Sequence, residues 1–143
     1  MVRCYNTIEE NKILELANEN TSFCPNKNTL NFINIARLSP AKNQAELIKA
    51  FKRFSNKHKN QVSLYIVGTG ELENSLKQMV SNEDNIFFLN YQSNPFNILK
   101  KCDYFIFPSL YEGQGLTVLE SKILSIPTIV SDLGDIRGVS DGT

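Results

Sequence analysis

Five short apolar runs recur along this chain, separated by stretches with helical periodicity, and that alternation limits the folds open to it. The runs are NFINIA at residues 31–36, VSLYIV at 62–67, IFFL at 86–89, DYFIF at 103–107 and PTIV at 127–130. Strands that stay apolar through consecutive positions leave neither face to water, as in a parallel sheet covered on both sides. Between the first two runs, Leu47, Ile48, Phe51 and Phe54 fall at i, i+1, i+4 and i+7, one face of a helix, with Asn43 as its expected N-cap. A polar loop is expected at residues 56–61. A second helix carries Leu72, Leu76, Met79 and Val80 on one face, and Asn94-Pro95 opens a short third reaching about Lys101. Leu116, Leu119 and Ile123 mark the inner face of a fourth. Strands alternating with helices give right-handed βαβ units. The expected fold class is α/β, a Rossmann-like parallel sheet flanked by helices on both faces.

At 143 residues the chain makes one such domain. Residues 1–30 read as a connector with one helix near 7–20, and residues 31–143 as the domain proper. Both ends read as cut, because a doubly wound domain of this kind usually adds a strand and a closing helix. Lys+Arg and Asp+Glu balance at 15 each, so global charge gives no reason to expect nucleic acid. No apolar run approaches the roughly 20 residues needed to span a bilayer, and the first ten residues lack a signal-peptide core. Cys4, Cys24 and Cys102 suit neither a zinc site nor a disulfide framework and point to a reduced, cytoplasmic protein. The single histidine, His58, sits in a polar surface loop at residues 56–60, which leaves no Ser-His-Asp triad and no His-based metal site beyond a single ligand.

Residues 107–132, FPSLYEGQGLTVLESKILSIPTIVSD, hold the densest chemistry. Glu112 and Glu120 form an E-x7-E pair around a Gly-bearing loop that opens a helix. Helix N-termini attract phosphates, and such loops lie where α/β sheets bind ligands. The two carboxylates would repel a phosphate and so should face ribose or sugar hydroxyls of the same ligand; their alternative is a pair of surface acids. Arg37 and Lys42 flank the loop after the first strand, either as a phosphate grip or as solvated loop cations. Gly68-Thr69-Gly70 lacks the third glycine of a redox dinucleotide loop, Glu73 standing in its place, and reads as a strand-to-helix turn. Lys49, Lys52, Arg53, Lys57 and Lys59 form a basic outer face, solvated or, alternatively, in peripheral contact with anionic lipid of a membrane.

In combination these motifs resemble the C-terminal donor-binding domain of retaining family-4 glycosyltransferases with the GT-B fold. The likeness runs in order through ARLSPAKNQAELIKAF, LYIVGTGELENSLKQMV, CDYFIFPSLYEGQGLTVLES and IPTIVSDLGDIRGVSDG. The segment EGQGLTVLE is similar to that of capsular polysaccharide and lipopolysaccharide transferases. The resemblance implies that Arg37 and Lys42 hold the donor pyrophosphate and stabilise the departing diphosphate without a metal. It implies that Glu120 binds the ribose hydroxyls and Glu112 contacts the donor sugar near the reaction centre. Backbone N–H groups of Gly115, Leu116 and Thr117 complete the phosphate cradle. The substrate is then a nucleotide-sugar donor, a UDP-sugar by family habit, with no further cofactor. The loop at residues 90–92 is placed to contact the base. The acceptor is a saccharide or lipid-linked, at the inner face of the membrane, and an N-terminal acceptor-binding domain is the required partner. Without that domain this chain is expected to bind donor weakly and turn over little. One departure is Gly138, near which many members carry a glutamate. The alternative function is a non-catalytic nucleotide-sugar-binding or interaction module of the same fold; epimerase and phosphorylase chemistry would need a histidine that this half lacks.

Overall fold

The computed structural model describes residues 7–58, 60–108 and 116–130. A first helix, α1 (Thr7–Ala17), precedes five parallel strands: β1 (Leu30–Ile35), β2 (Val62–Val67), β3 (Ile86–Leu89), β4 (Tyr104–Phe107) and β5 (Thr128–Val130). Between them run α2 (Gln44–Lys57), α3 (Glu73–Met79), the short α4 (Phe96–Leu99) and α5 (Leu116–Ile123). The strand order is β3–β2–β1–β4–β5. The chain winds outward from β1 through β2 to β3, crosses back to lay β4 on the free side of β1, and continues to β5. The direction of winding therefore reverses between β1 and β4, the place where open α/β sheets form a ligand crevice.

Alternating side chains build two cores. On one face Phe32, Leu64 and Ile66 pack with Leu47, Ile48 and Phe51 of α2 and Leu76 of α3. On the other, Ile33, Tyr65, Val67, Phe105 and Phe107 pack with Ile98 and Leu99 of α4, Val118 of α5, and Ile13 and Ala17 of α1. The fold is thus the α/β, Rossmann-like sheet with helices on both faces that the apolar runs demand. The strand bounds agree with the expected ones to within a residue.

Four local expectations are corrected. The first helix stops at Ala17 instead of reaching residue 20; Asn94 Nδ2 donates to the carbonyl of Leu16 at 2.8 Å, and Lys101 Nζ to that of Phe23 at 3.2 Å. Helix α2 continues to Lys57, past the expected loop start, because Ser55 is buried and its hydroxyl accepts a hydrogen bond from Asn85 Nδ2 at 2.6 Å. Helix α4 ends at Leu99 and turns, without further helix, into Cys102. In α5 the fully buried positions are Val118 and Ser121, while Leu119 and Ile123 are half-buried. The serine concealed this face: its hydroxyl meets Thr128 Oγ1 at 2.6 Å and donates to the Val118 carbonyl at 2.8 Å.

The segment between α1 and β1 is pinned to the domain. Phe23 meets Tyr65 edge-on at 5.1 Å, and the Asn26 amide donates to the Tyr65 hydroxyl at 3.1 Å. No described helix is long and apolar enough to cross a membrane.

Candidate functional site

Strand β1 delivers its chain into the crevice through residues 36–42. That loop has little freedom. The Ala36 amide donates to the Val67 carbonyl at 3.1 Å, the Leu38 amide to Thr69 at 2.9 Å, and the Leu72 amide to Leu38 at 3.0 Å. The glycines of Gly68-Thr69-Gly70 allow this approach. A Cβ on Gly68 would stand 2.0 Å from the Ala36 carbonyl oxygen, and one on Gly70 2.3 Å from that of Leu38. Gly68 also has φ of 142°, a backbone that L side chains rarely adopt. The pair therefore serves close backbone packing between the loops after β1 and β2, in keeping with the turn reading and not with a redox dinucleotide cradle.

Arg37 projects exposed from this loop. Pro40 opens a single 3₁₀ turn, Pro40–Lys42, and Lys42 closes it half-buried. Asn43 occupies the N-cap position of α2, but in left-handed backbone at φ 61° and with no side-chain capping bond. Its contribution is the reversal of direction, which asparagine tolerates better than most residues.

Strand β4 delivers the other wall. Residues 109–115 lie outside the described residues, and with them Glu112, Gly113 and Gly115. Leu116 and Thr117 open α5, and Glu120 stands half-buried in its second turn. Lys42 and Glu120 both engage other groups of the protein. The expected cations thus enter from β1 and the expected carboxylate from the helix after β4, on the two sides of the point where winding reverses.

A cavity of about 510 Å³ opens beside Arg37, lined also by Gly68, Thr69, Tyr91, Gln92 and Phe96. Tyr91 is 72% exposed there, an aromatic face held out into solvent at the mouth. A second groove, of about 410 Å³, lies between α2 and the β4–β5 edge. Its lining is mainly Phe32, Phe51, Phe54, Ile106 and Ile129, without the convergent polar groups that orient a ligand. The cavity beside Arg37, which also has Thr69 and Gln92 in its lining, is the stronger candidate.

The remaining titratable groups do not build a competing site. Burial, and then the neighbouring Asp103 carboxylate, push the Cys102 thiol up to about 12, so it stays a protonated core residue. His58 is exposed and rests against Phe54 at 4.6 Å. Of the basic outer face, Lys52 is engaged, 3.8 Å from Glu83 and donating to the Met79 carbonyl at 2.9 Å, and Lys49 pairs with Glu46 at 3.3 Å, while Arg53 and Lys57 are exposed. Lys59 lies outside the described residues. Among the described residues no group of three or more His, Cys, Asp or Glu is placed to hold a metal ion.

Two residues of the crevice wall escaped the sequence reading. Asn34 interrupts an apolar strand and Gln44 opens α2; both are buried, at 1% and 0% exposure. The signal was present, a polar residue within NFINIA and a second beside the helix start, but nothing in the sequence pairs them.

The sequence model of one family, described as glycosyl transferases group 1, matches residues 18–140. An uncharacterized glycosyltransferase of Methanocaldococcus jannaschii is 41% identical over 109 residues, covering 74% of this chain and 27% of the relative. The UDP-Gal:alpha-D-GlcNAc-diphosphoundecaprenol alpha-1,3-galactosyltransferase of Escherichia coli is 35% identical over 112 residues, covering 75% of this chain and 29% of its own length. The crystal structure of TarM superposes with a TM-score of 0.70 at 26% identity, over 82% of this chain and 24% of TarM. The chain thus spans less than a third of these relatives.

Proposed function

The chain belongs to the group 1 glycosyl transferases, and from that membership we propose that it is the donor-binding half of a retaining hexosyltransferase of polysaccharide or lipopolysaccharide biosynthesis. Its domain proper is residues 31–143, and it works with an acceptor-binding domain supplied by the rest of a longer protein. The observation that carries this reading is the pairing of walls at the β1–β4 junction. A cation-bearing loop leaves β1, and a helix that opens at Leu116 follows β4.

Within that crevice each residue has a separable task. Arg37 and Lys42 bind the diphosphate and offset the charge that grows on it as the bond to the anomeric carbon breaks. The backbone amides of Gly115, Leu116 and Thr117, with the dipole of α5, add to the same stabilisation. Glu120 accepts hydrogen bonds from the ribose diol. Glu112 contacts the donor sugar. The cavity beside Arg37 takes the base, with Tyr91 as a surface for it to stack on. UDP is the proposed carrier, supported by the Escherichia coli relative, whose name specifies UDP-Gal and a diphosphoundecaprenol-linked substrate. A lipid-linked saccharide is then the matching acceptor, which would bring the protein to the cytoplasmic face of a membrane. The exposed cations Arg53 and Lys57 are available there to anionic lipid.

The test is a thermal-shift panel of UDP, GDP, ADP, CMP and UDP-sugars. A ligand that binds only the folded state raises stability by RT ln(1 + [L]/Kd), about 2.7 kcal/mol at a hundredfold excess over Kd. A shift with UDP and its sugars, lost in Glu120→Ala, is the expected result. No shift with any nucleotide at millimolar concentration would remove the donor site from this chain.

A further inference from the structure

Gln44 is a costly residue for its location. It is fully buried at the first position of α2. Its Oε1 has no hydrogen-bond partner, and a buried acceptor left unpaired is destabilising. The amide has a defined orientation nonetheless. Nε2 donates to the Arg37 carbonyl at 2.9 Å; turned the other way, two oxygens would face each other.

The same Nε2 lies 3.5 Å from Oδ1 of Asn34, and Asn34 Nδ2 donates to the Ile106 carbonyl at 2.9 Å. The paired residues between β1 and β4 are Phe32 with Tyr104 and Ile33 with Phe105. Beyond them, as the strands part to open the crevice, a side-chain amide takes the place of the backbone ladder. A polar chain therefore runs from the Ile106 carbonyl through Asn34 and Gln44 to the Arg37 carbonyl. It links the end of β4 to the stem of the arginine.

We propose that Gln44, braced by Asn34, is a positioning residue that holds the Arg37 main chain in register with β4, so that the guanidinium meets the donor diphosphate from a fixed stem. This rests on the donor-binding reading above. The neighbours of Arg37 are already held by the loop after β2, through the Ala36 and Leu38 amides. Gln44 adds a restraint from the side of α2, at Arg37 itself. Arg37 is exposed and its side chain has many rotamers, so fixing the backbone beneath it lowers what must be ordered when a ligand arrives. Gln44 touches no ligand in this scheme and acts only through Arg37.

The experiment is a double-mutant cycle of Gln44→Met and Arg37→Ala, read by calorimetric titration with UDP, together with amide hydrogen exchange over residues 36–42. Gln44→Met keeps the volume and removes the amide. It should remain folded, bind UDP about tenfold more weakly, and exchange faster at the Leu38 amide. In the Arg37→Ala background the same substitution should change Kd by less than about twofold, because the effect travels through Arg37. Gln44→Leu, which removes the amide without adding a charge, gives the same reading should the methionine variant not fold. UDP affinity unchanged by either variant would overturn the proposal, and so would an equal loss with and without Arg37, which is the mark of a structural role. The exchange measurement needs no nucleotide. A wild-type chain that binds no UDP removes the donor reading, whereas unchanged protection at Leu38 in the variants removes the positioning role, so the two failures are told apart.

Discussion

At the scale of single residues, the least replaceable position is Gly68. With φ of 142° and the Ala36 carbonyl 2.0 Å from where a Cβ would sit, Gly68→Ala must both strain its backbone and push the β1 loop away. A loss of at least about 3 kcal/mol in urea denaturation is expected. Glu120→Ala is a contrasting case: it should weaken nucleotide binding by about 1.5–3 kcal/mol, the worth of a charge-assisted hydrogen bond. Cys102 gives a pH signature. Its thiol is held at about 12 when folded against 9.0 unperturbed, so the folded state retains a proton that the unfolded chain releases. The associated stability is complete below pH 9.0 and is lost as pH rises toward 12. Cys102→Ala should have lower stability at neutral pH but a shallower alkaline decline than the parent, seen by comparing urea midpoints of the two between pH 8 and 11. Cys24, exposed, should react with thiol reagents in the native state, whereas Cys102 should react on unfolding.

At the scale of elements, α1 is the informative case. Its Ile13 and Ala17 sit in the same core as Ile33 and Phe105, and Asn94 bonds the carbonyl of Leu16 in its last turn while Asn97 and Lys101 bond carbonyls that follow it. Ile13→Ala should therefore cost about 2–4 kcal/mol of global stability, measured by denaturant titration, not merely fray an appendage. The strands were legible because their period and apolarity are written locally. Helix α5 was less so. Its inward face includes Ser121, which a search for apolar spacing passes over, and the hydroxyl earns its place by bonding Thr128 on the adjoining strand. Ser121→Ala should cost about 1 kcal/mol. For the candidate site, Arg37, Lys42 and Glu120 could be singled out because charge beside strand ends and helix starts is unusual. Asn34 and Gln44 could not, since their meaning lies in a contact with main-chain carbonyls that becomes visible only once β1, β4 and α2 are placed.

At the scale of the whole molecule, the sheet ties distant parts of the chain into one unit. The two cores share β1 and β2, so loss of either face should unfold both. Far-ultraviolet circular dichroism and tyrosine fluorescence, the latter reporting on buried Tyr65, should give coincident transitions. The central strand has a consequence for how the chain is made. The Asn31 amide donates to Asp103 Oδ2 at 2.7 Å, a contact between residues 72 apart, and β4 is the second neighbour of β1. At ordinary elongation rates, roughly several seconds separate the emergence of these two strands from the ribosome. Throughout that interval β1 has an unpaired edge and an uncovered apolar flank. Nascent chains halted before β4 has left the ribosome should be held by chaperones that grip extended apolar segments, and those long enough to expose β4 released. The order of synthesis thus leaves the central strand open along one edge until β4 is added.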